Sequence, residues 1–465
     1  MSLSVVILAA GKGTRMKSAR PKVLHPLAGR PIIDHVLRTT ASLRPDRTVL
    51  VVGQGADEVR EALAGWPGLQ FVIQSPQLGT GHALLQTAPV LEGHTGTLLL
   101  LYADVPLLSV ETLQRLLETH RTTRAAATVL TAELDDPYGY GRIVRDDSGH
   151  ITRIVEERDA SAAERAIREI NSGIYVLELD SLFATLQRLA TDNAQGEYYL
   201  TDLVAMHRQA GKRVETLRIA SAGELRGINS RVDLAELTQA LRARKNRELM
   251  LAGVTLEDPA TTYIDADVTI GADTTVGPGV QLQGRTTIGA SCHIHAGARL
   301  TNATVGEGVT ILDRSVIVDS TIGAGASVGP FSHLRPGSEV GEDARIGNFV
   351  ELKKTKLGRR SKANHLAYLG DATIGEDVNI GAGTITCNYD GETKHQTVIE
   401  DGVFIGSDSQ LVAPVTVGRG AYVAAGSSIT ENVPADALAI ARGRQENKVE
   451  WVAKRRARRA AEKKS

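Results

Sequence analysis

The run TIGAGASVGPFSHLRPGSEVGEDARIGNFVEL, from Thr321 to Leu352, decides the architecture of the second half of the chain. In it Ile322, Val328, Leu334, Val340, Ile346 and Leu352 recur every six residues. That spacing fits neither the period of about 3.6 of a helix nor the alternation by about two of a half-buried strand. It returns in Ile405, Leu411, Val417, Val423 and Ile429. Many of the aliphatics stand directly before glycine: Ile270-Gly271, Val276-Gly277, Ile288-Gly289, Val305-Gly306, Ile322-Gly323, Val328-Gly329, Ile346-Gly347, Ile380-Gly381, Ile405-Gly406 and Val417-Gly418. A hexapeptide repeat of this kind reads as a parallel β-helix. Each six residues make a short strand and a turn, with the aliphatic inward and glycine easing the corner. Polar residues interrupt the register over 353–369 and 388–396, and interruptions of a solenoid are expected as loops on a binding face.

Working back from the repeat, Leu234, Leu237 and Leu241 lie among many charges, with Ser230 and Asp233 spaced as a capping pair, so a linker helix is expected. Before it, short apolar runs (Val5 to Ala10, Thr48 to Val52, Leu98 to Tyr102) alternate with helical patterns (Ile32 to Leu43, Val110 to Leu117). Such alternation indicates βαβ units and a mostly parallel sheet covered on both faces. The expected division is an α/β domain over 1–229, a linker helix over 230–252, a β-helix over 253–450 and a basic, disordered tail over 451–465.

Composition supports two domains, since 465 residues exceed what one core organises, and it excludes a peptide or small toxin. Lys and Arg number 53 against 54 Asp and Glu, a net charge of -1 that offers no overall attraction to nucleic acid or to a membrane surface. Small-molecule partners are expected instead, with no nucleic acid and no stable membrane association. Cys292 and Cys387 can neither staple a chain of this length nor form a CxxC metal knuckle, which fits a reducing cytosol. The start, MSLSVVILAAGKG, lacks the basic and long apolar regions of a signal peptide, so an unprocessed, soluble, cytoplasmic chain is expected.

The segment Leu8-Ala-Ala-Gly-Lys-Gly-Thr-Arg-Met16 follows a predicted strand. Gly11 and Gly13 let backbone N–H groups approach an anion, and Lys12, Arg15 and Lys22 can neutralise a triphosphate. It is neither a Walker loop nor a dinucleotide fingerprint, which needs glycine where Met16 stands. Asp104 ends the run Leu98 to Tyr102 at the carboxyl end of a parallel strand, a place suited to sharing Mg²⁺ with phosphates; a turn-capping Asp is the bland alternative.

These segments, with Pro21-Lys22, Gln74, Leu78-Gly79-Thr80-Gly81-His82-Ala83, Tyr102 to Leu107, Tyr140-Gly141-Arg142-Ile143, Ile154 to Glu157, Glu169 to Gly173 and Gly227-Ile228-Asn229, closely resemble the sugar nucleotidyltransferases. Adding the repeat, His365 to Asp371 and Ala382 to Gly391, residues 3 to 450 resemble the bacterial family of bifunctional N-acetylglucosamine-1-phosphate uridylyltransferases and glucosamine-1-phosphate N-acetyltransferases. The resemblance implies a Rossmann-like nucleotidyltransferase domain followed by a left-handed parallel β-helix. It implies that Leu8, Ala9, Ala10, Gly11, Lys22, Gln74, Gly79 and Thr80 hold the uridine nucleotide, and that Tyr102, Ala103, Asp104, Gly141, Glu156, Asn171 and Asn229 line the sugar-phosphate side. Asp104 and Asn229 would ligate Mg²⁺, and Arg15 with Lys22 would stabilise departing pyrophosphate. The family usually has glycine where Ala103 stands, and the added methyl should alter affinity before chemistry.

Acyl transfer from a thioester to an amine needs a base, an oxyanion stabiliser and grips for both substrates. By the same resemblance His365 is the proton acceptor. Arg335, Lys353, Tyr368 and Asn379 bind glucosamine-1-phosphate, and Ala382, Asn388, Tyr389, Ser407, Ala425 and Arg442 meet acetyl-CoA, the co-substrate. Taken alone, a histidine on a solenoid is more often a solvated side chain, and Cys387 is more often simply buried than an acyl-accepting nucleophile. Relatives of this kind assemble as homotrimers with acetyl sites built from neighbouring chains, so a homotrimer is expected. Two other readings exist: a transferase for another sugar whose β-helix is regulatory, and a β-helical scaffold on a degenerate transferase. The His365 to Gly391 constellation opposes the first, and intact Arg15, Lys22, Asp104 and Asn229 oppose the second.

Overall fold

The computed structural model describes residues 2–11 and 13–463 and divides into two compact units, 1–244 and 245–465. Lys12, named above as a phosphate-neutralising cation, lies outside the described residues.

The first unit is built on a nine-stranded sheet: β1 (Leu3–Ala9), β2 (Arg47–Val52), β3 (Leu69–Ile73), β4 (Thr97–Tyr102), β5 (Ala127–Glu133), β6 (Arg142–Arg145), β7 (Ile151–Val155), β8 (Glu169–Glu178) and β9 (Val214–Ile219). Its order is β9-β5-β8-β4-β1-β2-β3, with β6 attached to β8 and β7. β1 pairs in parallel with β2 and β4, as β2 does with β3 and β5 with β9; β8 runs antiparallel between β4 and β5. Val5, Val6 and Ile7 are buried without exposure because both faces are covered. Val5 and Ile7 pack with Ile33 and Val36 of α1 (Ile32–Ser42) and Leu113 and Leu116 of α2 (Val110–Thr123), whereas Val6 packs with Leu84, Phe183 and Leu203 on the other face. A continuous apolar strand is the form expected when neither face meets water.

A third helix, α3, spans Arg231–Leu251, and the division between the units falls within it. Its start is locked reciprocally: Asn229 and Ser230 N–H donate to Asp233 Oδ2 at 3.0 and 2.8 Å, and Asp233 N–H donates to Ser230 Oγ at 3.2 Å. Leu237 then packs against Met16, Leu27, Ile32 and Ile228.

The second unit is a left-handed parallel β-helix with three sheets of 11, 10 and 9 short strands. Successive strands visit the sheets in rotation, so that Val328 pairs above Ile346, Leu334 above Leu352 and Val340 above Leu357. The six aliphatics of the opening run fill one continuous core, none more than 3% exposed.

Two details differ from the sequence reading. The glycines after the aliphatics do not chiefly ease corners, for among those quoted Gly329 alone has a positive φ. Their reason is close approach between coils: a Cβ on Gly347 would lie 1.9 Å from Asn364 O, and one on Gly323 2.6 Å from Glu342 N. The first expected interruption is also no loop. Leu357, Ala363 and Leu369 carry the buried column through 353–369, and one five-residue step after Leu352 hid the repeat. Around 388–396 the chain does make an excursion, closed by a bridge between Tyr389 and Lys394 and by Asp390, which accepts from Thr393 and Glu392 N–H at 2.7 and 2.8 Å.

The tail, expected to be disordered, instead contains helix α4 (Trp451–Glu462), exposed along its length. Ala, Arg and Lys are strong helix formers, and the pairs Glu450–Lys454 and Arg458–Glu462 span one turn at 3.6 and 3.1 Å.

Leu352 has no exposed surface. Leu352→Ala is expected to cost the β-helix about 2–5 kcal/mol through the cavity it leaves, read as a lower urea midpoint for that unit. An unchanged midpoint would refute the continuous-core account.

Candidate active sites

The chain runs from β1 outward to β2 and β3, then crosses β1 to form β4. Where strand order reverses in this way, the loops leaving neighbouring carboxyl ends part and open a crevice. Leu8 to Gly11 leaves β1 on one side and Tyr102 to Asp104 leaves β4 on the other, stitched by Ala103 N–H to Leu8 O at 3.0 Å.

Two cavities open there. The first, about 470 Å³, is lined by Leu8, Ala9, Ala10, Gly11, Lys22, Gln74, Gly79 and Ala103. The second, about 500 Å³, is lined by Arg15, Gly141, Glu156, Asn171 and Asn229. Thr80, Tyr102 and Asp104 line both, so the cavities meet along these three residues. Each is of the size that encloses a small-molecule ligand. Ala103, expected above beside Tyr102 and Asp104, lines the first cavity and not the second.

At the junction Lys22 Nζ donates to Asp104 Oδ2 at 2.5 Å and to Asn229 Oδ1 at 3.3 Å. Asn229 is brought in by Ile228 N–H, which donates to Asp104 O at 2.9 Å, and by the α3 cap. Lys22 is brought in by the preceding loop: Gly13 has φ +60, and a Cβ there would stand 2.9 Å from Lys22 Cβ. Gln74 donates from Nε2 to Gly79 O at 2.9 Å, which fixes its amide plane in the wall of the first cavity.

In the second cavity burial pushes the Tyr102 phenol well above its ordinary range, and the Glu156 and Asp104 carboxylates push the same way, so it stays a neutral donor. Burial also raises Glu156, opposed by the Thr201 hydroxyl that donates to its Oε1 at 3.1 Å and reinforced by Asp159, Asp202 and Glu197. Asn171 Oδ1 accepts from Gly173 N–H at 3.0 Å, and Asn171 N–H donates to Gly141 O at 2.8 Å.

Sequence reasoning missed several residues here. Gln77 donates to Ala10 O, Glu197 lines the first cavity, and Thr201 holds Glu156. Arg142, 2% exposed, binds Glu157 Oε2 at 2.7 Å and Tyr140 O, which fastens the 138–141 wall. The polar stretch Asn193 to Thr201 was the available signal for two of these residues.

On the β-helix the acetyl-transfer candidates form two groups. At one corner Phe349, Leu366, Gly383, Asp408 and Gly426 all have positive φ, and the residues just before them are Asn348, His365, Ala382, Ser407 and Ala425. Positions scattered through the sequence therefore stack as one column, tied by Leu366 N–H to Asn348 O, Asp408 N–H to Ala382 O and Gly426 N–H to Ser407 O, with Arg442 Nη1 donating to Ala425 O at 2.8 Å. His365 Nδ1 lies 3.1 Å from Asn348 Oδ1. An amide oxygen only accepts, so Nδ1 carries the hydrogen and Nε2 is left able to take a proton. Asn348 is a further residue the sequence reading passed over.

The second group gathers on the ten-stranded sheet. Arg335 Nη1 meets Glu351 Oε1 at 2.9 Å, Glu351 pairs in register with Tyr368, Lys353 Nζ lies 3.6 Å from Asp371 Oδ2, and Asn388 donates to the same carboxylate. Tyr389 adjoins this group on the excursion, while Asn379 lies on the eleven-stranded sheet between Lys362 and Phe404. His365 thus ends the strand Lys362–His365 of the eleven-stranded sheet, whereas Lys353 ends Glu351–Lys353 of the ten-stranded sheet.

Residues 5–194 match the MobA-like NTP transferase domain, 260–357 the GMPPB C-terminal domain and 396–431 six bacterial transferase hexapeptide repeats. Fold and sites together define a nucleotidyltransferase joined to a hexapeptide-repeat acyltransferase. The chain is 53% identical over 452 residues to the "Bifunctional protein GlmU" of Brevibacillus brevis, covering 97% of each. It is 51% identical over 458 residues to that of Koribacter versatilis, covering 98% of this chain and 97% of the relative, and 48% identical over 449 residues to that of Shouchella clausii, covering 97% and 98%. The chain belongs to the GlmU family and is a bifunctional enzyme.

The raised Glu156 carboxyl binds its proton more tightly folded than unfolded. The stability this gives is complete below the ordinary carboxyl range near ~4.3 and is lost as pH rises through the raised value. Glu156→Gln, which keeps an acceptor for Thr201, is therefore expected to melt higher than wild type at neutral pH, the difference closing towards pH ~4. Equal melting shifts at both pH values would contradict the burial assignment.

Proposed function

We propose that the second unit acetylates glucosamine-1-phosphate with acetyl-CoA and that the first couples the product to UTP, yielding UDP-N-acetylglucosamine and pyrophosphate, in the cytoplasm. The observation that carries the uridylyl half is the meeting of two cavities at Thr80, Tyr102 and Asp104, with Lys22 at the junction. A nucleotide along Leu8 to Gly11, Gln74 and Gly79 presents its α-phosphorus towards that line, and a sugar phosphate beside Gly141, Glu156 and Asn171 presents its oxygen from the other side. The phosphate oxygen attacks the α-phosphorus, the bond to the β-phosphate breaks, and pyrophosphate leaves against Arg15 and Lys22. The nucleophile is already an anion, so alignment and charge neutralisation suffice.

Asp104 and Asn229 fit Mg²⁺. Their oxygens already converge on one cationic group, and one carboxylate with one amide oxygen is the sparse donor set that ion accepts. Bound there, Mg²⁺ would supply positive charge to the phosphate oxygens.

In acetyl transfer, His365 Nε2 takes a proton from the substrate ammonium, the amine attacks the thioester carbonyl, the C–S bond breaks as the amide forms, and the second proton lost by the nitrogen goes to the departing sulfur, so that CoA leaves as its thiol. The phosphate of the sugar is met by Arg335 and Lys353, with Tyr368 and Asn379 beside it, and acetyl-CoA lies along the corner column of Ala382, Ser407, Ala425 and Arg442 near Asn388 and Tyr389. Neighbouring chains of a homotrimer complete this site. Support for that comes from the placement of His365 and Lys353 at the ends of strands in different sheets, and from exposed Phe331, Phe349 and Leu366 beside the His365 corner, the two rings stacked at 5.6 Å.

Asp104→Asn is expected to lose at least ~10³-fold in pyrophosphate release and to keep CoA release. His365→Ala is expected to lose ~10²–10⁴-fold in CoA release alone. Parallel loss of both activities in either folded variant would defeat the two-site reading. Phe349→Glu is expected to sediment as a smaller species with concentration-dependent acetyl transfer and intact uridylyl transfer; a fully acetylating monomer would end the shared-site proposal.

A further inference from the structure

The proposed metal ligands are not idle in this structure. Lys22 Nζ donates to both, at 2.5 Å to Asp104 Oδ2 and 3.3 Å to Asn229 Oδ1. The Lys22 and Asp104 side chains are 12% and 20% exposed, so little water screens the pair. We infer that Lys22 is a tethered cation that holds the divalent-metal ligands until a nucleotide arrives, so that metal and nucleotide enter the first unit together. This inference rests on the reading of Asp104 and Asn229 as metal ligands.

The argument is one of charge. Without nucleotide, the carboxylate is neutralised by the ammonium, and an entering dication meets a like charge at bonding distance from the oxygens it needs. Lys22 also lines the first cavity beside Gly11, where a triphosphate would lie. Polyphosphate gives the ammonium a stronger anionic partner than one carboxylate, and a flexible four-carbon stem lets it move without backbone change. Its departure leaves both oxygens to the metal, while the phosphates add their own. The lysine therefore acts twice, first as a stand-in cation and then as a phosphate contact, and a site competent for metal forms only where its substrate is present.

The test uses Mn²⁺ as the probe, followed by the electron paramagnetic resonance of the free ion, with the full-length protein and no nucleotide. Lys22→Met is expected to bind Mn²⁺ at least tenfold more tightly than wild type, Lys22→Arg to stay as weak as wild type, and Asp104→Asn added to Lys22→Met to abolish the gain. Equal affinity in wild type and Lys22→Met would overturn the inference. Should Lys22→Met fold poorly by circular dichroism, wild type alone decides: Asp104-dependent Mn²⁺ binding at micromolar concentration without nucleotide overturns it, and its absence there supports it. Retention of uridylyl transfer in Asp104→Asn would instead remove the underlying metal assignment. Loss of that activity with no gain in Lys22→Met removes only the present inference.

Discussion

Parallel strand pairing is the constraint on which both halves of this protein depend. A parallel neighbour must be entered from the same end as its partner, so the chain has to return outside the sheet each time. In the first unit the return goes through helices, which bury β1 on both faces and collect the loops at carboxyl ends of strands. In the second the return goes through the other two sheets, which turns six-residue steps into stacked corners. The candidate site positions follow from each kind of return. Leu8 to Gly11 and Tyr102 to Asp104 are loops leaving adjacent parallel strands, while His365, Ala382, Ser407 and Ala425 are equivalent corner positions on successive coils.

Both candidate sites hold their cations beside carboxylates: Lys22 with Asp104, Arg335 with Glu351 and Lys353 with Asp371. Such pairing keeps a positively charged, phosphate-seeking group in place without isolating its charge. A ladder at another corner of the β-helix, with Arg360 on Asp377 at 2.5 Å and Arg419 on Asp401 at 3.3 Å, uses the same residue types on the exposed surface. Exposed pairs of that kind contribute only ~0–1 kcal/mol each. Enclosure separates Lys22–Asp104 and Lys353–Asp371, whose side chains are 12–20% exposed, from that ladder, whereas Arg335–Glu351 is as open as the ladder itself.

Much of the fold was legible because it is periodic. Six-residue spacing from Ile322 to Leu352 defines a coil whatever its surroundings, and the alternation before Ser230 defines βαβ units. Where the period slipped by one residue, between Leu352 and Leu357, the eye lost the repeat although the core did not. The glycines were noticed for a reason that proved secondary: at Gly347 the approach of Asn364 O excludes a side chain, and no local rule reveals a neighbour seventeen residues on. The tail was judged by its charge, whereas its helix-forming residues and turn-spaced ion pairs decide its backbone.

The amino-acid sequence alone determined the two architectures, the glycine loop, the acidic strand end and the inventory of polar residues in the repeat, because each depends on near neighbours or a fixed period. Tertiary structure alone decided which of them meet. Lys22 is 82 residues from Asp104 and 207 from Asn229, yet one ammonium touches both. That contact exists because β1 lies beside β4 and because Ile228 is bonded to the Asp104 backbone where α3 begins. Long-range packing of this kind leaves no spacing to read, so the junction of the two cavities appears only when the chain is folded.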